Sequence, residues 1–250
     1  MNNSETIDKM KEMKLYGMAR AMASAMDMGI KDITPDELVA HLIDAEWDDR
    51  HERRFLRLSK AAKFRYRASL EEIDFNIDRN LPKNMFLRFS DCSFIKDKKN
   101  IIITGATGVG KSFVASALGN QACVYGYRTF YFNLGKLFSS LKLAKADGTY
   151  ISRMEKIERA DMVILDDFGL QKLDTASRLI FLEILEDRHG IKSTVMTSQL
   201  PVPDWHEVIG DPTIADAICD RIINNSYRIE LKGDSLRKKY RKGEEHENIN

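Results

Sequence analysis

Three patterns follow one another without a gap between residues 100 and 118. An unbroken apolar run, Asn100-Ile101-Ile102-Ile103-Thr104, leads into the glycine-rich Gly105–Ser112 (GATGVGKS). The small and apolar Phe113–Leu118 comes next. An apolar run without polar alternation reads as a strand buried on both faces, the condition of a parallel sheet. Glycines let the chain curl so that successive N–H groups point inward, and the helix that follows aims its positive end at the same spot. The octapeptide matches G-x-x-x-x-G-K-[ST] at every fixed position. In that pattern the backbone cradles phosphates, the lysine reaches the β- and γ-phosphates, and the hydroxyl ligates Mg²⁺. The candidate nucleotide-binding residues are therefore Gly105, Ala106, Thr107, Gly108, Val109, Gly110, Lys111, Ser112 and Phe113, with ATP and Mg²⁺ as the ligands. A glycine-rich turn that binds nothing would leave the strand–loop–helix context unexplained.

Strands and helices keep alternating downstream. Apolar runs at 101–104, 129–133, 162–165, 194–197 and 227–231 are separated by helical patterns at 111–125, 134–146, 175–188 and 214–224. Short connections between such elements predict an α/β fold, a parallel sheet sandwiched by helices. Residues 1–70 read as all-helical and 71–98 as a connector, with the sheet domain over 99–250. Met10, Met13, Met18, Met22 and Met26 share one flank of the first helical segment, as packing residues or as an adaptable surface. Gly29 closes that segment. Thr34-Pro35-Asp36-Glu37 opens the next helix with a capping box and a proline at its first position. Leu38, Leu42, Ile43 and Trp47 are expected to face inward there.

Composition narrows the function classes. The chain has 250 residues, 39 Lys+Arg against 38 Asp+Glu, and 3 cysteines, so it can bury a large core and has no disulfide framework. Cys92, Cys123 and Cys219 are few, odd in number and far apart, which suits a reducing cytoplasm. With no apolar run long enough to span a membrane and a polar N-terminus, no membrane partner is expected. With net charge near zero, nucleic-acid binding has to come from local patches.

Met162-Val163-Ile164-Leu165-Asp166-Asp167 ends an apolar strand in two acids. Carboxylates there stand at the carboxyl edge of the sheet, where open α/β sheets bind ligands. Asp166 is the candidate Mg²⁺ ligand beside Ser112, and Asp167 the group that orients or deprotonates water. Taken alone, such a pair would read as a turn or helix cap. Thr197-Ser198-Gln199 ends the next strand. If that strand lies between those bearing Lys111 and Asp166, Gln199 can touch the γ-phosphate or the water; turn chemistry before Pro201 is its rival. Arg221, near a helix end, suits an arginine finger or a surface pair with Asp220. Arg237 is a weaker phosphate-sensing candidate.

Between 50 and 67 lie Arg50, Arg53, Arg54, Arg57, Lys60, Lys63, Arg65 and Arg67, with Glu52 alone opposing them within the run. Positions 50, 53, 54, 57 and 60 share a helical face, a stripe of the kind that phosphate contacts need. A solvated face paired with Glu46, Asp48 and Asp49 fits equally. The basic block 237–242 is a second such run, of the type that is usually only solvated.

With these residues in hand, the chain resembles the IstB-like helper ATPases of bacterial insertion sequences, relatives of the DnaC-type helicase loaders within the AAA+ class. Residues 13–19, Phe94-Ile95 with Asn100, the Gly105–Ser112 loop, Leu165–Gly169, Thr197–Gln199, Trp205, Asp220–Ile222 and Tyr227–Ser235 fall in the order of that family. The resemblance implies a small helical domain before an AAA+ core that lacks a full C-terminal lid. It also implies an ATPase that assembles with itself on double-stranded DNA, acting with a transposase encoded beside it. In such relatives the finger arginine serves a neighbouring subunit's nucleotide, the role implied for Arg221. Relatives often carry Asp-Glu where Asp166-Asp167 stands, and Asn where Gln199 stands, which implies slow or partner-stimulated turnover. A helicase loader and a non-catalytic DNA-binding scaffold are the alternative functions.

Overall fold

Five apolar runs pair side by side into one sheet, and every pairing is parallel. They are β1 (Asn100–Gly105), β2 (Thr129–Asn133), β3 (Met162–Phe168), β4 (Ser193–Ser198) and β5 (Ser226–Leu231), in the order β2-β3-β4-β1-β5. The computed structural model describes residues 3–28, 34–77 and 79–236. Gly29, Arg237 and the basic block 237–242 lie outside the described residues. The chain divides into two compact units, Met1–Arg57 and Leu58–Asn250.

The unalternating strands have the reason expected of them, because both faces of the sheet are covered. Ile102, Val163, Leu165 and Met196 face one core, with α7 (Leu134–Asp147), α8 (Tyr150–Glu158), α9 (Thr175–Arg188), α10 (Trp205–Ile209) and α11 (Pro212–Ile223). Ile101, Ile103, Ile164 and Val195 face the other, with α6 (Lys111–Val124) and residues 68–95, including the short α4 (Lys83–Phe89) and α5 (Ser93–Lys96). Helices α8 and α10 were not anticipated from the sequence. Each is under three turns, too short for a helical period to stand out. Arg188 is 1 % exposed and its guanidinium ties this layer together, donating to the carbonyls of Ile157 (2.7 Å) and Ala160 (3.0 Å) at the end of α8.

The first unit holds α1 (Asn3–Glu12), α2 (Tyr16–Met28) and most of α3 (Pro35–Ala62). The first helical segment is broken where Lys14 takes φ 62°. Met10, Met18, Met22 and Met26 are half-buried, and Met13, at the break, is exposed. Thr34 and Glu37 form the expected capping box, with the Thr34 N–H donating to Glu37 at 2.8 Å. One expectation fails: Leu42 is buried, but Ile43 and Trp47 are 54 % and 64 % exposed. The buried stripe of α3 instead runs through Leu42, Glu46 and Asp49, because α2 docks on it through polar groups. Glu46 accepts from the N–H groups of Gly17 (2.8 Å) and Met18 (3.3 Å), capping the start of α2. Burial pushes its carboxyl up, but Arg50 and those N–H groups outweigh that and hold it below the ordinary range.

Helix α2 can come this close because residue 17 is glycine. A Cβ there would stand 2.3 Å from the Ala45 carbonyl oxygen. Gly17→Ala is therefore expected to cost about 1–3 kcal/mol of local stability by overpacking. Amide hydrogen exchange on the full chain should speed up in α2 and α3 and stay unchanged in the sheet. Unaltered protection of α2 would show that the close approach is not needed.

Candidate nucleotide site

β1 lies between β4 and β5, so the chain leaves its carboxyl end at a topological switch point, where parallel sheets take ligands. The loop that follows needs left-handed backbone at Gly108 (φ 89°) and Gly110 (φ 102°), and α6 starts at Lys111. Lys111 is 6 % exposed and its Nζ donates to the carbonyls of Gly105 and Ala106, both at 2.8 Å. The cation thus sits inside the curl, where an anion would exchange those carbonyls for phosphate oxygens. Leu236 closes the loop from outside, its N–H donating to the Gly108 carbonyl at 3.0 Å.

The acids at the end of β3 meet this loop. Ser112 Oγ donates to Asp166 Oδ1 at 2.9 Å, with the Thr197 hydroxyl on the same oxygen. A hydroxyl and a carboxylate converging on one point are the hard oxygen donors that Mg²⁺ takes. The other oxygen of Asp166 accepts from the Tyr131 hydroxyl and, at 3.3 Å, from Arg65 Nη1. Burial, together with the hydrogen bond to Asp166, pushes the Tyr131 hydroxyl well above its ordinary range, which keeps it a donor.

In a regular strand Asp166 and Asp167 would point to opposite faces. The β3–β4 register shifts between Leu165 and Phe168, and Asp167 takes φ 64°. That bulge with its left-handed residue turns both carboxylates toward one guanidinium, since Arg65 Nη1 is also 2.9 Å from Asp167 Oδ2. Asn133 Nδ2 donates to the same oxygen at 2.9 Å.

β4 does lie between β1 and β3, the condition on which Gln199 depended. Gln199 Oε1 accepts from Thr107 Oγ1 at 2.7 Å, linking the loop to the end of β4. Lys111, Ser112, Asp167 and Gln199 line a cavity of about 550 Å³. Its other wall comes from Arg65, Tyr66, Glu72, Asp74, Ile77 and Arg79, and from Leu236. Tyr66 faces Phe113 with ring centroids 6.2 Å apart.

Arg221 is elsewhere. The carbonyls of Arg221 and Ile222 accept from Asn100 Nδ2 at 3.4 and 3.3 Å, and Asn100 is the first residue of β1. At about 3.3 Å per residue, β1 carries its loop roughly 17 Å from that edge, beyond a side chain's reach. The guanidinium pairs with Glu186 on α9 and donates to the Ala217 carbonyl at 2.8 Å.

The basic run divides. Arg50 pairs with Glu46 (2.6 Å) and Arg53 with Asp49 (2.5 Å), so these two cations offset buried acids of the helical unit. Arg54 has partners of its own. Among the described residues, Arg57, Lys60 and Lys63 form no ion pair. Arg65, read from the sequence as part of this run, belongs to the nucleotide cavity. Tyr131, Asn133 and Arg79 were missed altogether. Only Asn133 carried a signal, as the last residue of a strand in register with Asp166.

A family model described as IstB-like ATP binding protein matches residues 8–244. An insertion sequence ATP-binding protein of Sinorhizobium fredii, y4pL, is 40 % identical over 95 % of this chain and 97 % of its own length. The ATP-binding protein of insertion sequence IS1162 from Pseudomonas fluorescens is 36 % identical over 80 % and 88 %. Among solved structures, DnaI superposes with a TM-score of 0.59 at 25 % identity, covering 66 % of this chain and 92 % of DnaI. The DnaC helicase loader shares the fold with a TM-score of 0.52 at 19 % identity, covering 70 % and 99 %.

Proposed function

The chain belongs to the IstB-like ATP-binding protein family of insertion sequences, and from that we propose that it is an ATP-hydrolysing helper that assembles on duplex DNA and acts with a transposase. The observation that carries the reading is the convergence of Ser112 and Asp166, 2.9 Å apart, beside a phosphate loop already holding its lysine. Ser112 and Asp166 would hold Mg²⁺ there, and the ion would supply charge neutralisation to the phosphates.

The chain's own groups divide the work. Lys111 leaves the Gly105 and Ala106 carbonyls for the phosphates. Asp167, fixed by Asn133, orients the attacking water and accepts its proton. Gln199, held by Thr107, positions that water or the γ-phosphate. Arg65, which donates to Asp166 and Asp167, holds the two carboxylates in place at the cavity. Arg221 completes the site of a neighbouring copy, so turnover depends on self-assembly. The short Asp167 favours slow hydrolysis that a partner accelerates.

DNA phosphates are met by the basic residues of α3 and just beyond it: Arg50, Arg53, Arg54, Arg57, Lys60 and Lys63. Arg57, Lys60 and Lys63 carry the most weight there, since Arg50 and Arg53 would have to leave Glu46 and Asp49. Among the described residues no helix is long and apolar enough to cross a membrane. A helper working on DNA would act in the cytoplasm.

Phosphate release measured with Mg²⁺-ATP, with and without duplex DNA, tests the reading. Hydrolysis that rises with duplex is expected. ATP binding with no release under either condition would leave a nucleotide-bound scaffold instead. The second reading is a helicase loader, the function named for DnaC, whose fold this chain shares. That reading requires preference for single strands and capture of a ring helicase in place of the transposase.

A further inference from the structure

Arg79 is a buried cation with too few partners. It is 5 % exposed and Nη2 donates to the Asp74 carbonyl at 2.8 Å. Its Nε is buried with no hydrogen-bond partner, and among the described residues no carboxylate pairs with it. A guanidinium withdrawn from water without an anion is unfavourable, so its position calls for a negative ligand.

Its surroundings say which one. Arg79 lines the same cavity as Lys111 and Thr107. A Cβ built on Gly110 would stand 3.0 Å from Arg79 Nη1, which places the guanidinium against the glycine of the phosphate loop. The backbone holds it there. The Arg79 carbonyl accepts from the Lys232 N–H at 3.0 Å, and Asn80 Nδ2 donates to the Glu230 carbonyl at 3.0 Å. Glu230 and Leu231 are in register with Thr104 and Gly105, so the segment is pinned where β1 passes into the loop.

We propose that Arg79 binds the phosphate chain of the nucleotide, as a second cation supplied from outside the loop motif. The proposal rests on the ATP-binding reading of Gly105–Ser112. Among the described residues no carboxylate offsets the buried Arg79, so a polyphosphate is the anion its planar donors meet, through charge-assisted hydrogen bonds. The ligand class is a nucleoside di- or triphosphate recognised by its phosphates rather than by its base.

The test is titration of the full chain with a fluorescent ADP analogue, followed by its displacement with inorganic pyrophosphate. Wild type is compared with Arg79→Met and Arg79→Lys, and the melting temperature of each is read with and without ADP. Arg79→Met should weaken analogue binding ten- to a hundred-fold and weaken pyrophosphate displacement in parallel, while Arg79→Lys recovers part of the loss. Without nucleotide, Arg79→Met should melt no lower than wild type, because an unpaired buried charge has been removed. Its ADP-induced rise should shrink. Unchanged affinity in Arg79→Met would overturn the proposal. So would a loss confined to the analogue with normal pyrophosphate displacement, which would put Arg79 on the base or sugar. A lower melting temperature without ADP, with the ADP-induced rise intact, would make its role structural. Failure of wild type itself to bind the analogue would instead overturn the ATP-binding reading.

Discussion

Lys111→Ala is expected to lose ATP and ADP binding. The lysine is almost fully buried and is held by two backbone carbonyls of its loop. Those carbonyls are weak substitutes for phosphate oxygens, so the cation is already placed where the β- and γ-phosphates would lie. Removing one partner of a buried charged pair costs about 3–5 kcal/mol, which is roughly 10²–10⁴-fold in affinity. The fold should survive the change, since the flanking Val109 and Val114 are fully buried and anchor the loop without help from the lysine. Titration calorimetry with ATP is the measurement, with an amide-exchange map as the check on folding. An affinity within threefold of wild type would remove the loop from the proposed chemistry.

The second large effect belongs to Arg221, and it is one of rate. Arg221→Ala should bind ATP normally yet hydrolyse it about 10³–10⁵-fold more slowly, the range measured for arginine fingers. The location of the residue makes the prediction specific. Its helix is tied to the first residue of β1, at the sheet edge opposite the loop, so this arginine cannot serve its own nucleotide. In the isolated chain it pairs with Glu186, which it must leave to reach a neighbour. A mixing experiment separates action in trans from a local role. Chains carrying Arg221→Ala keep an intact loop, and chains carrying Lys111→Ala keep an intact Arg221. Each is inactive alone, and co-assembly should restore part of the turnover. Normal hydrolysis by Arg221→Ala would end the trans-acting assignment. So would mixed assemblies that form and stay inactive.

Much of the site was legible because its chemistry is local in the chain. Gly105–Ser112 must be contiguous to curl round a phosphate, and Asp166 must end a strand to stand at the sheet edge. Both appear as short runs with a fixed composition. Gln199 was legible only conditionally, since its value depended on where β4 sat in the strand order. Arg65 could be read only as one more cation in a basic run, because nothing nearby in sequence marks its partners, Asp166 and Asp167. Trp47 misled for the opposite reason. An aromatic at helical spacing is usually core, but Glu46 and Asp49 hold the buried stripe of α3 through the N–H groups of Gly17 and Met18 and the guanidinium of Arg20, all in α2.

The sequence alone determined a parallel sheet with a phosphate loop at its edge, because strand burial and loop curvature are set by residues next to one another. It also determined the family, through motifs that occur in a set order. Only the tertiary structure decided which cations line the cavity beside the loop and which offset internal acids. Charges pair across space: Arg65 and Arg79 reach the loop from a segment well before it, while Arg50 and Arg53 turn back to Glu46 and Asp49. The Arg50–Glu46 and Arg53–Asp49 pairs lie one helical turn apart and were open to the sequence, but the placing of Arg65 and Arg79 beside the loop depends on how distant segments pack, which no spacing along the chain encodes.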